Sequence, residues 1–319
     1  MTTPIPNPQG QPGLLLLGTV WPEKAVEAFR QFFAVHRFEK MADLNQAALA
    51  QIGPGIKAVA TGFVPGLPGP VMAALPALQA IAVDGVGTDL VDMAQAHKRG
   101  IAVMTEAGAP IITHDVADMA MALLLAVKRR VVFNNQWVRS GDWAAKGLPP
   151  LGSSLSGCKM GLAGFGHIGQ AIARRAAAAE MTIAYWQRHQ VPQSPHPFMA
   201  TLLELAQWAD VLVLAMPATA ATRGIVNGAV LEALGEQGVL INIARGALVD
   251  EQALIAALAG GRLAGAGLDV FDHEPAINPA FLMLQNTVLS PHQASATFKD
   301  RLDTALDCLG KLKAFFKLG

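Results

Sequence analysis

Three ionisable residues follow apolar, β-leaning runs, where strand ends would present side chains to a ligand. Arg245 comes directly after Val239–Ala244 and before Gly246. Glu274 follows Leu268-Asp269-Val270-Phe271, and His292 stands in Ser290-Pro291-His292 after Thr287–Leu289. Open α/β sheets bind ligands beyond the carboxyl ends of their strands, so three such groups can share one site. An Arg there can grip a carboxylate and polarise a neighbouring ketone oxygen. A His can give its proton to the alkoxide that forms, and a Glu beside it can hold the imidazole and favour its protonated form. The set suits reduction of a 2-oxo acid.

Such a reduction needs a hydride source, and Gly164-Phe165-Gly166-His167-Ile168-Gly169 offers a place for one. The strand-like run Lys159–Ala163 leads into this G-x-G-x-x-G and the helical stretch His167–Glu180 leads out of it, the context of a dinucleotide fingerprint. The first glycine permits a tight turn, the second lets a pyrophosphate approach the backbone, and the third allows close helix–strand packing. Free N–H groups at His167 and Ile168 would face the phosphates. A carboxylate about 20 residues further on would bind the ribose diol of NAD. The chain reads Tyr185-Trp186-Gln187-Arg188-His189 there, with no Asp or Glu. A guanidinium at Arg188 suits a 2′-phosphate, so NADPH is expected to be preferred, with NADH possible.

The elements that must position these residues alternate along the chain. Strand-like runs are expected at Leu14–Gly18, Ile56–Thr61, Leu78–Val83 and Ile101–Met104, with helices at Pro22–Phe33 and Asp89–Arg99, the latter capped by Asp89. A long helix is expected from Asp115 to Arg130, with a continuation toward Ser140. The rhythm then restarts at Lys159 and runs through strands at Met181–Trp186, Val211–Met216, Val239–Ala244, Ala266–Phe271 and Thr287–Leu289 to a last helix over Ala296–Phe316. This βαβ pattern predicts parallel sheets covered by helices on both faces. A length of 319 residues exceeds what one core usually holds, so two domains are expected.

Composition narrows the class. Lys plus Arg number 24 and Asp plus Glu 24, a balance that gives no electrostatic reason to expect nucleic acid or an anionic membrane as partner. The apolar run Met119–Val127 stops at Lys128-Arg129-Arg130, too short to span a bilayer. The start, MTTPIPNPQGQPG, reads as a loose tail and not as a signal peptide. Cys158 and Cys308 form neither a disulfide framework nor a metal motif, which fits a reduced, cytoplasmic compartment.

Four motifs in order carry a family resemblance: Gly164–Gly169; Ile243-Ala244-Arg245-Gly246-Ala247-Leu248-Val249-Asp250-Glu251; Leu268-Asp269-Val270-Phe271 with Glu274-Pro275; and Ser290-Pro291-His292-Gln293-Ala294-Ser295. The chain resembles the D-2-hydroxyacid dehydrogenases, and among them the NADPH-dependent glyoxylate/hydroxypyruvate reductases. The resemblance implies two doubly wound, Rossmann-like α/β domains with a cleft between them. Residues 1–106 and 293–319 would form the substrate domain and residues 107–292 the dinucleotide domain. It makes Arg245, Glu274 and His292 catalytic and gives Asp269 to the nicotinamide carboxamide. It places Gln187, Pro217, Thr222, Ala244 and Ala294 along the cofactor beside the glycine motif and Arg188. Val86 and Gly87 would bind the substrate carboxylate through backbone N–H groups, together with Arg245 and His292. No metal is expected. The partner expected is a second copy, through the long helix and the arm after it, where Trp137 and Trp143 would serve either as interface anchors or as core.

The chain departs from the family pattern at Thr105–Pro110, near the expected hinge. Its Gly/Pro-rich loop Gly62–Pro70 would favour a small or apolar side chain on the acid. Two other readings compete: a dehydrogenase for a bulkier 2-hydroxy acid, and a dinucleotide-sensing corepressor-like protein of the same fold. The lack of basic clusters weighs against the corepressor, and the few basic residues in the first unit's loops weigh against a phosphorylated acid.

Overall fold

The computed structural model describes residues 10–18, 20–62, 64–106 and 112–319. The expectations for the start of the chain and for the hinge stretch therefore fall largely outside the described residues, at 1–9 and 107–111. The rest divides into two compact units: Met1–Ile112 with Ala296–Gly319, and Thr113–Ser295. Each is a parallel sheet wound with helices.

In the first unit five strands lie in the order β2-β1-β3-β4-β5: β1 Gly13–Leu17, β2 Ala34–Phe38, β3 Ile56–Gly62, β4 Ala80–Asp84 and β5 Ala102–Met104. Every pairing is parallel. The run of four leucines in β1 shows why no alternation is visible in the sequence. Leu14 and Leu16 join one core with helices α1 (Glu23–Arg30) and α12 (Phe298–Phe316), while Leu15 and Leu17 join a second core on the other face. A strand buried on both faces has no polar side to show.

Three local expectations need correction. β2 has no counterpart in the sequence reading, because this edge strand carries His36 and Arg37, and Arg37 pairs with Glu23 at 2.8 Å and Glu39 at 3.3 Å. The helix expected from Asp89 is α4, Met93–Lys98, and its cap is Asp92, whose Oδ1 accepts from Gln95 N–H at 2.9 Å. Residues 90–92 are instead tied to Leu67, which donates to Leu90 O at 3.0 Å and accepts from Asp92 N–H at 3.2 Å. The long helix is found as α5, Thr113–Lys128, but it does not continue toward Ser140: Arg130 adopts φ +53° and a separate helix, α6, Val131–Arg139, follows.

The second unit's six strands lie in the order β11-β10-β9-β8-β6-β7, again all parallel. They are β6 Lys159–Ala163, β7 Thr182–Trp186, β8 Val211–Leu214, β9 Val239–Asn242, β10 Gly265–Leu268 and β11 Thr287–Leu289. The order reverses at β6, with β7 on one side and β8 on the other. That is the topological switch where such sheets open a crevice at their carboxyl ends. No helix among the described residues is long and apolar enough to cross a membrane.

Candidate active site

The three strand-end residues stand on neighbouring strands of the second unit, Arg245 after β9, Glu274 after β10 and His292 after β11. His292 Nδ1 lies 2.7 Å from Glu274 Oε2, and the other carboxylate oxygen, Oε1, accepts from Phe271 N–H at 2.8 Å. Both side chains are mostly buried. Burial alone would raise the Glu274 pKa. The bond to His292, the Phe271 amide and the charges of His292 and Arg245 outweigh it, and the carboxyl titrates below its ordinary value of 4.5. A carboxylate that stays ionised fixes the imidazole's orientation and leaves Nε2 to exchange a proton.

His292 reaches this position through a left-handed backbone, φ +56°. Asp269 holds the turn. This fully buried residue accepts His292 N–H on its main-chain oxygen at 2.9 Å. Its carboxylate accepts Gln293 N–H and Ala294 N–H, each at 2.8 Å, and the Ser290 hydroxyl. The resemblance gave Asp269 to a carboxamide. In the structure its carboxylate organises the loop that carries His292, a part that its sequence position did not suggest.

Asn242 does the same for Arg245 and was not singled out from the sequence. Its side chain, 1% exposed, accepts Ala244 N–H at 3.0 Å and donates to Arg245 O at 2.9 Å, closing the turn after β9. Gly246 lets that turn lie against the Phe271–Asp272 backbone, which a Cβ at this position would overlap. Arg245 also donates from Nη1 to Ala244 O at 2.7 Å.

The glycine motif has the geometry of a dinucleotide turn. Gly164 has φ +99° and its Cβ would strike the Ala215 carbonyl, while a Cβ at Gly169 would strike the Gly164 carbonyl. At Gly166 a Cβ would meet nothing within 4 Å. Two glycines are thus required by packing, and the second only by something approaching the backbone. Helix α8, His167–Ala178, starts there with His167 exposed. Arg188 is exposed beyond β7 and makes no hydrogen bond or ion pair among the described residues. Thr222 donates to Pro217 O at 3.2 Å and accepts Thr219 N–H at 2.7 Å, shaping the loop after β8. Val86 and Gly87 follow β4 in the first unit, with Val86 exposed. Trp143 is 57% exposed, so it is not core, and Trp137 donates to Gly147 O at 3.0 Å and stacks on Phe133.

The sequence matches the family model for the NAD-binding domain of D-isomer specific 2-hydroxyacid dehydrogenases over residues 121–294. The chain belongs to the D-2-hydroxyacid dehydrogenases. It is 46% identical to a 2-ketogluconate reductase of Gluconobacter oxydans, over 91% of each chain. It is 44% identical to a glyoxylate/hydroxypyruvate reductase of Arabidopsis thaliana, over 76% of this chain and 74% of that one. Among solved structures, the NADPH-dependent glyoxylate/hydroxypyruvate reductase of Sinorhizobium meliloti, in complex with NADP and malonate, superposes with a TM-score of 0.87 at 38% identity. That match covers 97% of this chain and 95% of the other. As a member of the D-2-hydroxyacid dehydrogenases the chain is an oxidoreductase acting on a CH–OH group, with a domain for a nicotinamide dinucleotide.

Proposed function

We propose that the enzyme reduces a small 2-oxo acid of the glyoxylate/hydroxypyruvate type to the D-2-hydroxy acid, with NADPH as the preferred reductant. The observation that carries this reading is the His292–Glu274 pair at 2.7 Å on the strands next to Arg245, at the same carboxyl edge of the sheet as a glycine turn fitted to a dinucleotide. Bound nicotinamide would supply the hydride. Arg245 grips the carboxylate and polarises the ketone. His292 delivers the proton to the carbonyl oxygen as negative charge develops there, a contribution of ~10²–10⁴-fold in rate. Glu274 keeps the imidazole oriented and favours its cationic form. Pyrophosphate would sit at Gly164–Gly169, and the exposed, unpaired Arg188 supports a 2′-phosphate over a ribose diol.

A second reading is favoured by the 46% identity to a 2-ketogluconate reductase: a longer, polyhydroxylated 2-oxo acid as substrate. Initial rates with glyoxylate, hydroxypyruvate and 2-ketogluconate, each with NADPH and NADH, separate the two. The first reading expects the highest kcat/KM for a two- or three-carbon acid with NADPH. A higher value for 2-ketogluconate establishes the second, and equal use of NADH removes the cofactor assignment.

The working form proposed is a homodimer. The arm formed by α6 and α7 (Asp142–Lys146) buries none of its residues in the chain, and Trp143, Leu148 and Leu151 along it are exposed.

A further inference from the structure

The aromatic ring that underlies the glycine turn also reaches the loop that carries Arg188. Tyr185, on β7 and fully buried, stacks on Phe165 of the glycine motif with ring centroids 4.3 Å apart and planes 18° from parallel. Its hydroxyl accepts Val191 N–H at 2.9 Å. Between these two anchors runs a second link. Gln187 Oε1 accepts Phe165 N–H at 3.1 Å, and Gln187 Nε2 donates to His189 O at 2.7 Å. One partner is an N–H and the other a carbonyl, which the amide satisfies together; a carboxylate of the same length has no donor for His189 O. Arg188 lies between the two residues joined by that amide, with its own side chain exposed and uncommitted among the described residues.

We propose that Gln187 and Tyr185 are positioning residues for cofactor choice: they clamp the main chain on both sides of Arg188 to the glycine turn, so that the guanidinium is presented to an adenosine 2′-phosphate. The proposal rests on the reading of Arg188 as the 2′-phosphate ligand and goes beyond it. An exposed Arg alone loses side-chain freedom when it pairs, and a loop that also had to be ordered would add to that cost. Clamping the backbone beforehand removes the second part.

The test is calorimetric titration of the full chain with 2′,5′-ADP and with 5′-AMP, two probes that differ by the phosphate in question and need no turnover. Tyr185→Phe keeps the stack on Phe165 and removes only the hydroxyl. Gln187→Met keeps the length and removes both amide bonds. Each is expected to weaken 2′,5′-ADP by about three- to tenfold, the size of coupling found between residues in contact, and to leave 5′-AMP within about twofold. In an Arg188→Ala background neither should weaken 2′,5′-ADP further. Equal losses for both probes, or a full additional loss without Arg188, overturn the positioning role. If Arg188→Ala weakens 2′,5′-ADP and neither positioning variant does, the clamp is wrong and the phosphate reading survives. If Arg188→Ala leaves 2′,5′-ADP unchanged, both fall.

Discussion

Glu274 makes two hydrogen bonds: Phe271 N–H anchors one carboxylate oxygen, and the other orients His292, the proposed acid, through Nδ1. Because its carboxyl titrates below 4.5 in the folded chain, it stays ionised down to acid pH and its support for His292 is lost only as pH falls through that lowered value. In Glu274→Gln that acid limb disappears from the kcat/KM profile. The imidazolium also loses its counter-charge, so reduction at neutral pH drops and its alkaline limb moves to lower pH. A profile that overlays the wild type would make Glu274 a structural loop residue, and full activity in His292→Gln would remove the acid from the scheme. Arg245→Lys keeps the charge but not the planar fork, and should lose most of kcat/KM for glyoxylate while its melting temperature stays within a few degrees. The placement of Arg245, Glu274 and His292 at neighbouring strand ends was legible in the sequence, because charged groups directly after apolar strands are conspicuous. Asn242 and the loop-holding part of Asp269 were not, since both work through backbone groups that come near only when adjacent strands pair.

At the scale of elements, packing and function make different demands on the same turn. Gly164→Ala forces a Cβ into a φ +99° backbone against the Ala215 carbonyl, whereas Gly166→Ala has φ −75° and no atom within 4 Å. The first is expected to lower the melting temperature by several degrees. The second should leave melting unchanged and weaken dinucleotide binding, read by quenching of protein fluorescence; unchanged binding in Gly166→Ala would place the pyrophosphate elsewhere. A similar tension lies in the first unit, where Glu106, 1% exposed beyond β5, meets Lys311 of α12 at 3.0 Å with Asp307 alongside. Burial first, and then Asp307, outweigh Lys311 and push its pKa from 4.5 up to about 7. The folded chain therefore binds more protons than the unfolded one between those values, and stability falls as pH rises from about 4.5 to about 7. Urea midpoints at pH 5 and pH 8 should differ in the wild type and converge in Glu106→Gln. Strands Lys159–Ala163 and Thr287–Leu289 were read to the residue, and the apolar strands between them to within about three residues. The failures lie where burial is weak: edge strand β2, and α2, Gln46–Ile52, which has no buried residue to print a pattern.

For the molecule as a whole, the two units repeat one solution, a parallel sheet sealed on both faces, yet the second carries a segment that packs on neither face. From Val131 to Leu151 the chain leaves Val131, Val132, Val138, Trp143, Leu148 and Leu151 in solvent, the last at 91% exposure. Near the start of this arm, Val132 and Phe133 line a cavity of about 330 Å³ with Leu282, itself 64% exposed. Each Å² of such surface removed from water is worth about 25 cal/mol, so a second copy that covers the arm gains what the single chain forgoes. A twofold axis lets the same patch serve both partners and closes the assembly at two chains, where a head-to-tail contact would continue into a ring or filament. Analytical ultracentrifugation should therefore find a dimer. Introducing charge at two of the most exposed points, Leu148→Glu with Leu151→Glu, should dissociate it. Neither side chain supports a core, so the secondary structure of the separated chains should stay intact. A wild-type chain that sediments as a monomer at micromolar concentration, or a double variant that remains dimeric, would mean that this arm is covered in some other way.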